Sequence, residues 1–397
     1  LQPLVLSRFC ILTSLGAGWQ ETLTAIRDGR SGLRSCAFGD VDIPTFIGEV
    51  AGVDDFALTG DMAGFDCRNN RLARMALAQD GFEDAVAVAR ERYGSHRIGL
   101  FLGTSTSGIF NAELAYRERD PVSGALPSWF DYAGTQNTYS LADYTAHHLR
   151  LGGPSVVVSS ACSSSAKVFA TASRMIEAGL CDAAVVGGVD SLCLTTLYGF
   201  RSLGLTAATP CRPFDAARDG ISIGEGASFV LLERPEDYRG GEAVALLGYG
   251  ESSDAYHMSS PHPEGRGARL AMERALETSG LAAADIDYIN LHGTATKVGD
   301  AAEDQAVFAL FGGDTRCSST KGQTGHTLGA AGAIETVISA LGILYGVAPG
   351  TTSMEVLDPE FRSRYLSAPE PLHLDRAMTN SFGFGGSNCT LVLGRAS

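Results

Sequence analysis

Short apolar runs alternate along much of the chain with segments whose apolar residues recur at helical spacing, and this alternation predicts an α/β protein. The clearest strands are 98–102, 155–160, 183–186 and 286–291. Each is short and mostly apolar, as expected of strands buried on both faces. The opening stretch, 1–15, is apolar but carries Arg8 and no cleavage-site pattern, so it reads as a first strand and turn rather than a signal peptide. Two segments read as irregular and exposed. One is 118–139, with Pro121, Gly124, Pro127 and several aromatics. The other is 252–267, with Pro261, Pro263 and two histidines. Long loops of this kind often line sites.

Two strand–turn–helix units resemble each other. In one, the run from Ser155 leads into Ala161-Cys162-Ser163-Ser164-Ser165 and then a helix with Phe169, Ala172 and Ile176 at helical spacing. In the other, Cys317-Ser318-Ser319 leads through Lys321 to His326 and a small-residue helix, Gly329-Ala330-Ala331-Gly332-Ala333. The likeness suggests an internally duplicated fold, divided here into residues 1–240 and 241–397.

Composition narrows the function. With 397 residues, 45% of them hydrophobic, the chain can bury a large core. A formal net charge of −15 argues against nucleic acid or an anionic membrane face as the main partner. No apolar run reads as a membrane span. The nine cysteines include no C-x-x-C pair, which fits free thiols in a reducing cytoplasm and no structural metal. The lysines are Lys167, Lys297 and Lys321, all in or beside candidate motifs.

Cys162 follows a buried strand and opens a helix, where unpaired N–H groups favour thiolate over thiol. The serines after it would leave room for a substrate; the alternative is a buried structural cysteine. His292, in Asn290-Leu291-His292-Gly293-Thr294-Ala295-Thr296, lies just past a strand. His326 lies just before the small-residue helix. Strand ends of α/β sheets are where ligands collect. Neither histidine has a carboxylate or thiol at zinc-ligand spacing, and the pair His147-His148 reads as surface. The segment Asn380 to Asn388, with Gly383, Gly385 and Gly386, lacks the phosphate-loop pattern. It reads either as a sharp turn or as backbone N–H groups aimed at an oxyanion.

Six motifs in order resemble the elongating β-ketoacyl-acyl-carrier-protein synthases of type II fatty acid synthesis, within the thiolase-like superfamily. They are Ser159 to Ser165; Arg212-Pro213-Phe214-Asp215 through Arg218-Asp219-Gly220 to Gly224-Glu225-Gly226; Ser252 to Met258; His292 to Thr296; Ser319-Thr320-Lys321 to His326; and Asn380 to Asn388. The resemblance implies a duplicated, five-layer αβαβα thiolase-like fold and a homodimer. It implies that Cys162 takes an acyl chain from a carrier protein, and that His292 and His326 hydrogen-bond the malonyl thioester carbonyl through decarboxylation. The N–H groups of Cys162 and Phe384 would hold the acyl oxygen. Lys321 would hold the network around His326, with Glu335 and Asp300 in support. Thr294, Thr296 and Ser260 match positions that bind the phosphopantetheine arm, and Phe200 and Phe384 match gates of the acyl pocket. No cofactor is implied, because the substrates carry the phosphopantetheine. An acidic enzyme meeting an acidic carrier needs a local basic patch. Arg68, Arg71 and Arg74, spaced every three residues, and Arg201 beside Phe200 are the candidates; a solvated helix face is the alternative for the first three.

The chain departs from the family at Ile11 to Gly16, where a Gly-rich turn and Ser-Pro-Leu-Gly are usual. It departs again at Ser159-Ser160 before Ala161-Cys162, where Asp-Thr is usual. These changes spare the catalytic residues and favour a specialised polyketide or aryl-polyene-like pathway over housekeeping synthesis. Three rival readings stand beside this one. A chain-length-factor partner subunit would lack the nucleophile. A degradative thiolase would use a second cysteine, for which Cys389 stands in the right region. A carrier-binding scaffold would hold an idle pocket.

Overall fold

A computed structural model describes residues 2–396. Ten strands build the framework. In the first half they are β1 (Leu4–Thr13), β2 (Ile98–Gly103), β3 (Ser155–Val158), β4 (Ala183–Asp190) and β5 (Gly226–Glu233). In the second half they are β6 (Val244–Ser253), β7 (Tyr288–Asn290), β8 (Arg316–Ser318), β9 (Arg376–Gly383) and β10 (Ser387–Arg395). The helices that matter for the site are α1 (Trp19–Arg27), α2 (Arg68–Leu77), α3 (Phe82–Tyr93), α4 (Ile109–Arg117), α5 (Ser140–Leu149), α6 (Ser164–Glu177), α7 (Leu194–Ser202), α8 (Arg266–Ser279), α9 (Lys297–Phe311) and α10 (Ala331–Tyr345).

The duplication suggested by the two strand–turn–helix units is present in the strand order. The first half runs β1-β5-β4-β2-β3 across the sheet, and the second runs β6-β10-β9-β7-β8. In both, the first two pairings are antiparallel and the next two parallel. The halves join where β1 meets β6, with Leu4 opposite Leu246 and Val5 opposite Ala245.

Side chains alternate across each strand and so feed different layers. Leu100, Leu102 and Val185 pack with Leu72 of α2, Phe82 of α3 and Leu141 of α5 on one side. Phe101 and Val186 point the other way, to Phe169 of α6 and Val337 of α10. In the second half Leu391 and Leu393 join that central core. Ile289, Met378 and Val392 pack outward on Met272 of α8 and Val307 of α9. The result is helix, sheet, helix, sheet, helix, with α6 and α10 together in the middle. Their contact is close: a Cβ on Gly332 would lie 2.5 Å from the Ala166 nitrogen.

Several boundaries moved. Strand β4 continues to Asp190 through Gly187-Gly188, a pair that invites a turn in the sequence. A Cβ on Gly188 would lie 2.4 Å from that of Ser165, so the glycine serves close packing against α6. Strands β3 and β7 are shorter than the apolar runs containing them. Segment 328–345 is, against expectation, long and apolar enough to cross a membrane, with mean hydropathy 1.6. It is also 89% buried, as the central helix of a packed core. Of the pair expected at the surface, His147 is exposed and His148 is half-buried, stacked on Tyr144 with its Nε2 2.8 Å from Glu83.

Candidate active site

The ends of β3, β7, β8 and β9 converge on a cavity of about 350 Å³ lined by Cys162, His292, His326 and Phe384. Cys162 sits between β3 and α6. The residue before it, Ala161, has φ +52°, a left-handed conformation that costs on the order of 1–3 kcal/mol for a residue with a Cβ. Gly325, before His326, has φ +75°. In both halves, then, the turn after the third strand reverses through one positive-φ residue and presents the next side chain to the cavity.

The Cys162 sulfur lies 3.0 Å from His326 Nε2. The ring of His292 stands edge-on to that of His326, with centroids 5.3 Å apart. Burial pushes the Cys162 thiol up to about 11. Against it act the Lys321 charge and the N–H groups of Phe384 and of Cys162 itself, while Asp190 raises it further. Burial outweighs the helix terminus, so the expected standing thiolate gives way to a thiol whose proton His326 is placed to accept. Burial, with the Lys321 charge behind it, holds both imidazoles well below the ordinary histidine value; the neighbouring His326 lowers His292 further. Both are therefore neutral near pH 7, able to accept a proton or to donate one N–H.

The expected supports are in place. Lys321 is buried and ion-paired with Glu335, whose carboxyl burial pushes upward. Asp300 accepts from the Ala295 nitrogen at 3.1 Å and the Phe214 nitrogen at 2.8 Å. It thereby fastens the 292–296 turn to the 212–218 loop, where Arg218 approaches it at 3.6 Å. Glu303 was missed in the sequence. It accepts from the backbone nitrogens of His292 and Gly293, both at 2.8 Å, and so aims the His292 ring. The available signal was a cluster of three acids, Asp300, Glu303 and Asp304, on the helix that follows the His292 turn. Asp254 was missed too; it holds the 254–265 loop through His262 N at 3.1 Å and Asn388 Nδ2 at 2.8 Å.

Thr294, Thr296, Ser260, Phe200 and Phe384 all line the cavity, and the rings of Phe200 and Phe384 stack with centroids 5.5 Å apart. The 252–267 segment lines the cavity as well, and the 118–139 segment does not. Ser163, Ser164 and Ser165 do not line the cavity. They are buried in hydrogen bonds, Ser164 Oγ donating to Ala161 O at 2.6 Å and Ser165 Oγ accepting from Ala333 N at 2.9 Å.

The arginine patch fails at its first member. Arg68 is only 4% exposed and bonds Glu225 at 2.6 and 2.8 Å and Asp54 at 2.6 Å. Its helix buries that face, with Leu72 and Ala76. Arg71 is half-buried on Asp66, and Arg74 on Glu83. Arg201 is exposed beside Phe200, and Lys297, not counted in the patch from the sequence, is exposed at the cavity rim. Cys162, His292 and His326 bring their donor atoms within 4.8 Å of one another, close enough to hold a metal. The buried positive charge of Lys321, already felt by both rings, works against a further cation there.

A duplicated αβαβα fold with a buried Cys-His-His triad at its strand ends defines a thiolase-like condensing enzyme. The chain belongs to the β-ketoacyl synthase family: residues 56–238 match the beta-ketoacyl synthase N-terminal domain, and residues 244–355 the C-terminal domain. It is 34% identical to the mitochondrial 3-oxoacyl-[acyl-carrier-protein] synthase of Arabidopsis thaliana, over 96% of this chain and 91% of that one. It is 36% identical to 3-oxoacyl-[acyl-carrier-protein] synthase 2 of Rhizobium meliloti, over 81% and 79%. Among solved structures, that of the ketosynthase ApeO in complex with its chain length factor ApeC from Xenorhabdus doucetiae matches with TM-score 0.89 and 36% identity. The match covers 99% of this chain and 98% of that one.

Proposed function

We propose that the protein extends an acyl chain held on Cys162 by decarboxylating condensation with malonyl-acyl-carrier protein, giving a 3-oxoacyl-acyl-carrier protein and carbon dioxide. The contact of Cys162 with His326 at 3.0 Å, beside a second neutral imidazole, carries the reading. Loading breaks the carrier thioester and forms one on Cys162; the thiol proton passes by way of His326 to the leaving carrier thiol. The malonyl C–CO2 bond then breaks, and its electron pair enters an enolate whose oxygen the N–H groups of His292 and His326 stabilise. The enolate carbon attacks the acyl carbonyl, whose oxygen sits at the N–H groups of Cys162 and Phe384, the C–S bond to Cys162 breaks, and the released thiolate takes up a proton from solvent to restore the thiol. Loss of carbon dioxide drives the sequence without a cofactor. In this division residues 1–240 supply the nucleophile and 241–397 the two histidines.

The carrier docks at the cavity mouth on Arg201 and Lys297, and its phosphopantetheine arm passes Ser260, Thr294 and Thr296. The open edge of β3 is half-exposed, and Trp129, Tyr132 and Tyr139 are exposed on the 118–139 segment. These support a homodimer or a sister subunit of the same fold there, and nine free thiols support a cytoplasmic setting. Intact-mass measurement after mixing with acyl-carrier proteins of several chain lengths tests the reading. An acyl adduct on Cys162 is expected, with carbon dioxide released once malonyl-carrier is added. No adduct with any carrier would overturn it.

A further inference from the structure

Asp190 closes β4 and is fully buried, yet no cation pairs with it among the described residues. Its carboxylate is instead surrounded by donors. Thr104 Oγ1 reaches it at 2.8 Å, the Ser105 nitrogen at 2.7 Å, and the Thr106 nitrogen and Oγ1 at 2.9 and 2.8 Å. Ser105 Oγ donates at 2.5 Å, and the last donor is the Gly329 nitrogen, from the second half of the chain. A buried carboxylate is tolerated when hydrogen bonds replace its water so completely. Gly329 stands three residues beyond His326. A Cβ there would lie 2.8 Å from Asp190 Oδ2 and 3.2 Å from Ser164 Oγ, which itself binds the Cys162 turn through Ala161 O.

We propose that Asp190 is a positioning residue for the Cys162–His326 pair: it gathers the ends of β2 and β4 and the turn after His326 onto one buried anion, and sets the two halves of the triad at bonding distance. The assignment rests on the triad as the reaction centre and not on which acyl chain it extends. Four charged or titratable groups face the sulfur. His326 and His292 are neutral near pH 7, the Lys321 charge lowers the thiol, and the Asp190 charge raises it. Asp190 therefore has a second effect that plain scaffolding lacks, opposing Lys321 at the thiol.

Asp190→Asn removes the charge while nearly preserving shape. Its kcat is expected to fall on the order of 10²-fold, the scale of a misplaced reacting pair, with the KM for carrier substrate unchanged. Iodoacetamide labelling of Cys162 is expected to shift to lower pH, since a neighbouring negative charge is lost. Labelling reads the thiol directly, so its outcome is independent of substrate identity. Gly329→Ala crowds the same contact while keeping the charge: kcat should fall with no such shift toward lower pH. A folded Asp190→Asn enzyme with unchanged kcat and labelling profile overturns the proposal. If that variant does not fold, wild-type kcat in Gly329→Ala overturns it, and a loss of kcat supports it.

Discussion

At the end of β2, Thr104, Ser105 and Thr106 turn inward onto Asp190; at the end of β7, the same station in the second half, His292 to Thr296 turn into the cavity. Both turns are held by buried acids, and the difference lies in what the acid takes. Asp190 binds backbone N–H groups and all three side-chain hydroxyls, so nothing is left to face a substrate. Glu303 and Asp300 take only backbone N–H groups from their turn. The His292 ring stays aimed at the sulfur, and Thr294 and Thr296 line the cavity, paired with each other at 3.1 Å. One duplicated topology thus yields a framework half, which delivers one nucleophile, and a working half, which delivers both imidazoles, Lys321 and the Phe384 loop.

The largest effect should fall where the two halves meet. Cys162→Ala is expected to abolish acyl loading and condensation with the fold intact, because no other cysteine among the described residues lines the cavity. His292→Ala and His326→Ala should each slow carbon dioxide release from malonyl-carrier on the order of 10²–10³-fold, the cost of losing one oxyanion donor. The comparison sharpens further: His292→Ala should leave acyl loading of Cys162 largely intact, whereas His326→Ala should slow it as well, since His326 is the ring hydrogen-bonded to the sulfur. Mass spectrometry for loading and labelled malonyl-carrier for decarboxylation read the two steps separately. Equal losses of both steps in both variants would break the assignment.

A smaller effect, about tenfold, is expected at the mouth. Arg201→Glu with Lys297→Glu should raise the apparent KM for acyl-carrier protein and leave acyl-coenzyme A nearly unaffected, and added salt should mimic this in the wild type. Reversing Arg71 should do neither, because that side chain is already held by Asp66. Carrier use that is indifferent to the Arg201 and Lys297 changes would move the docking face elsewhere.

What the sequence displayed was whatever depends on residue type at fixed spacing. The apolar runs marked the strands, three of the four buried as expected and β3 half-exposed at the sheet edge, and the Cys162 and His326 units betrayed the repeat. Motif resemblance supplied the triad, Lys321, Glu335 and the gate pair Phe200–Phe384. What it hid depends on partners distant in the chain. Arg68 reads as the first of three exposed arginines, but its guanidinium is bound by Glu225, 157 residues away. Asp190 gives no local sign, because its donors come from 104–106 and 329. Glu303 was obscured because it is one of three acids on α9, and its bonds to the 292–293 turn are not visible in the sequence. The raised Cys162 thiol was missed because a helix start is legible in sequence and desolvation is not.

The smallest effect is one of stability, and it again divides the halves. Burial holds the folded-state values of His292 and His326 well below 6.5. Above pH 6.5 neither the folded nor the unfolded chain binds these protons, and their contribution is fully present. As pH falls through 6.5, the unfolded chain takes up protons that the folded site refuses, so stability declines, by up to about 1.4 kcal/mol per pH unit for each histidine. Asp300 works with the opposite sign. Burial pushes it up to about 7, so the folded state binds its proton more tightly, and its contribution is lost as pH rises through that value. The net slope mixes these groups, and the useful quantity is the difference between variants. Urea unfolding of His326→Asn from pH 7 down to pH 5 should show a shallower decline than the wild type. Thr106→Val, in the turn of the first half that carries no imidazole, should lower stability by a constant amount and run parallel to the wild type. Parallel curves for His326→Asn as well would mean that the ring already titrates in the fold as it does in water, and that the working half is wetter than its burial implies.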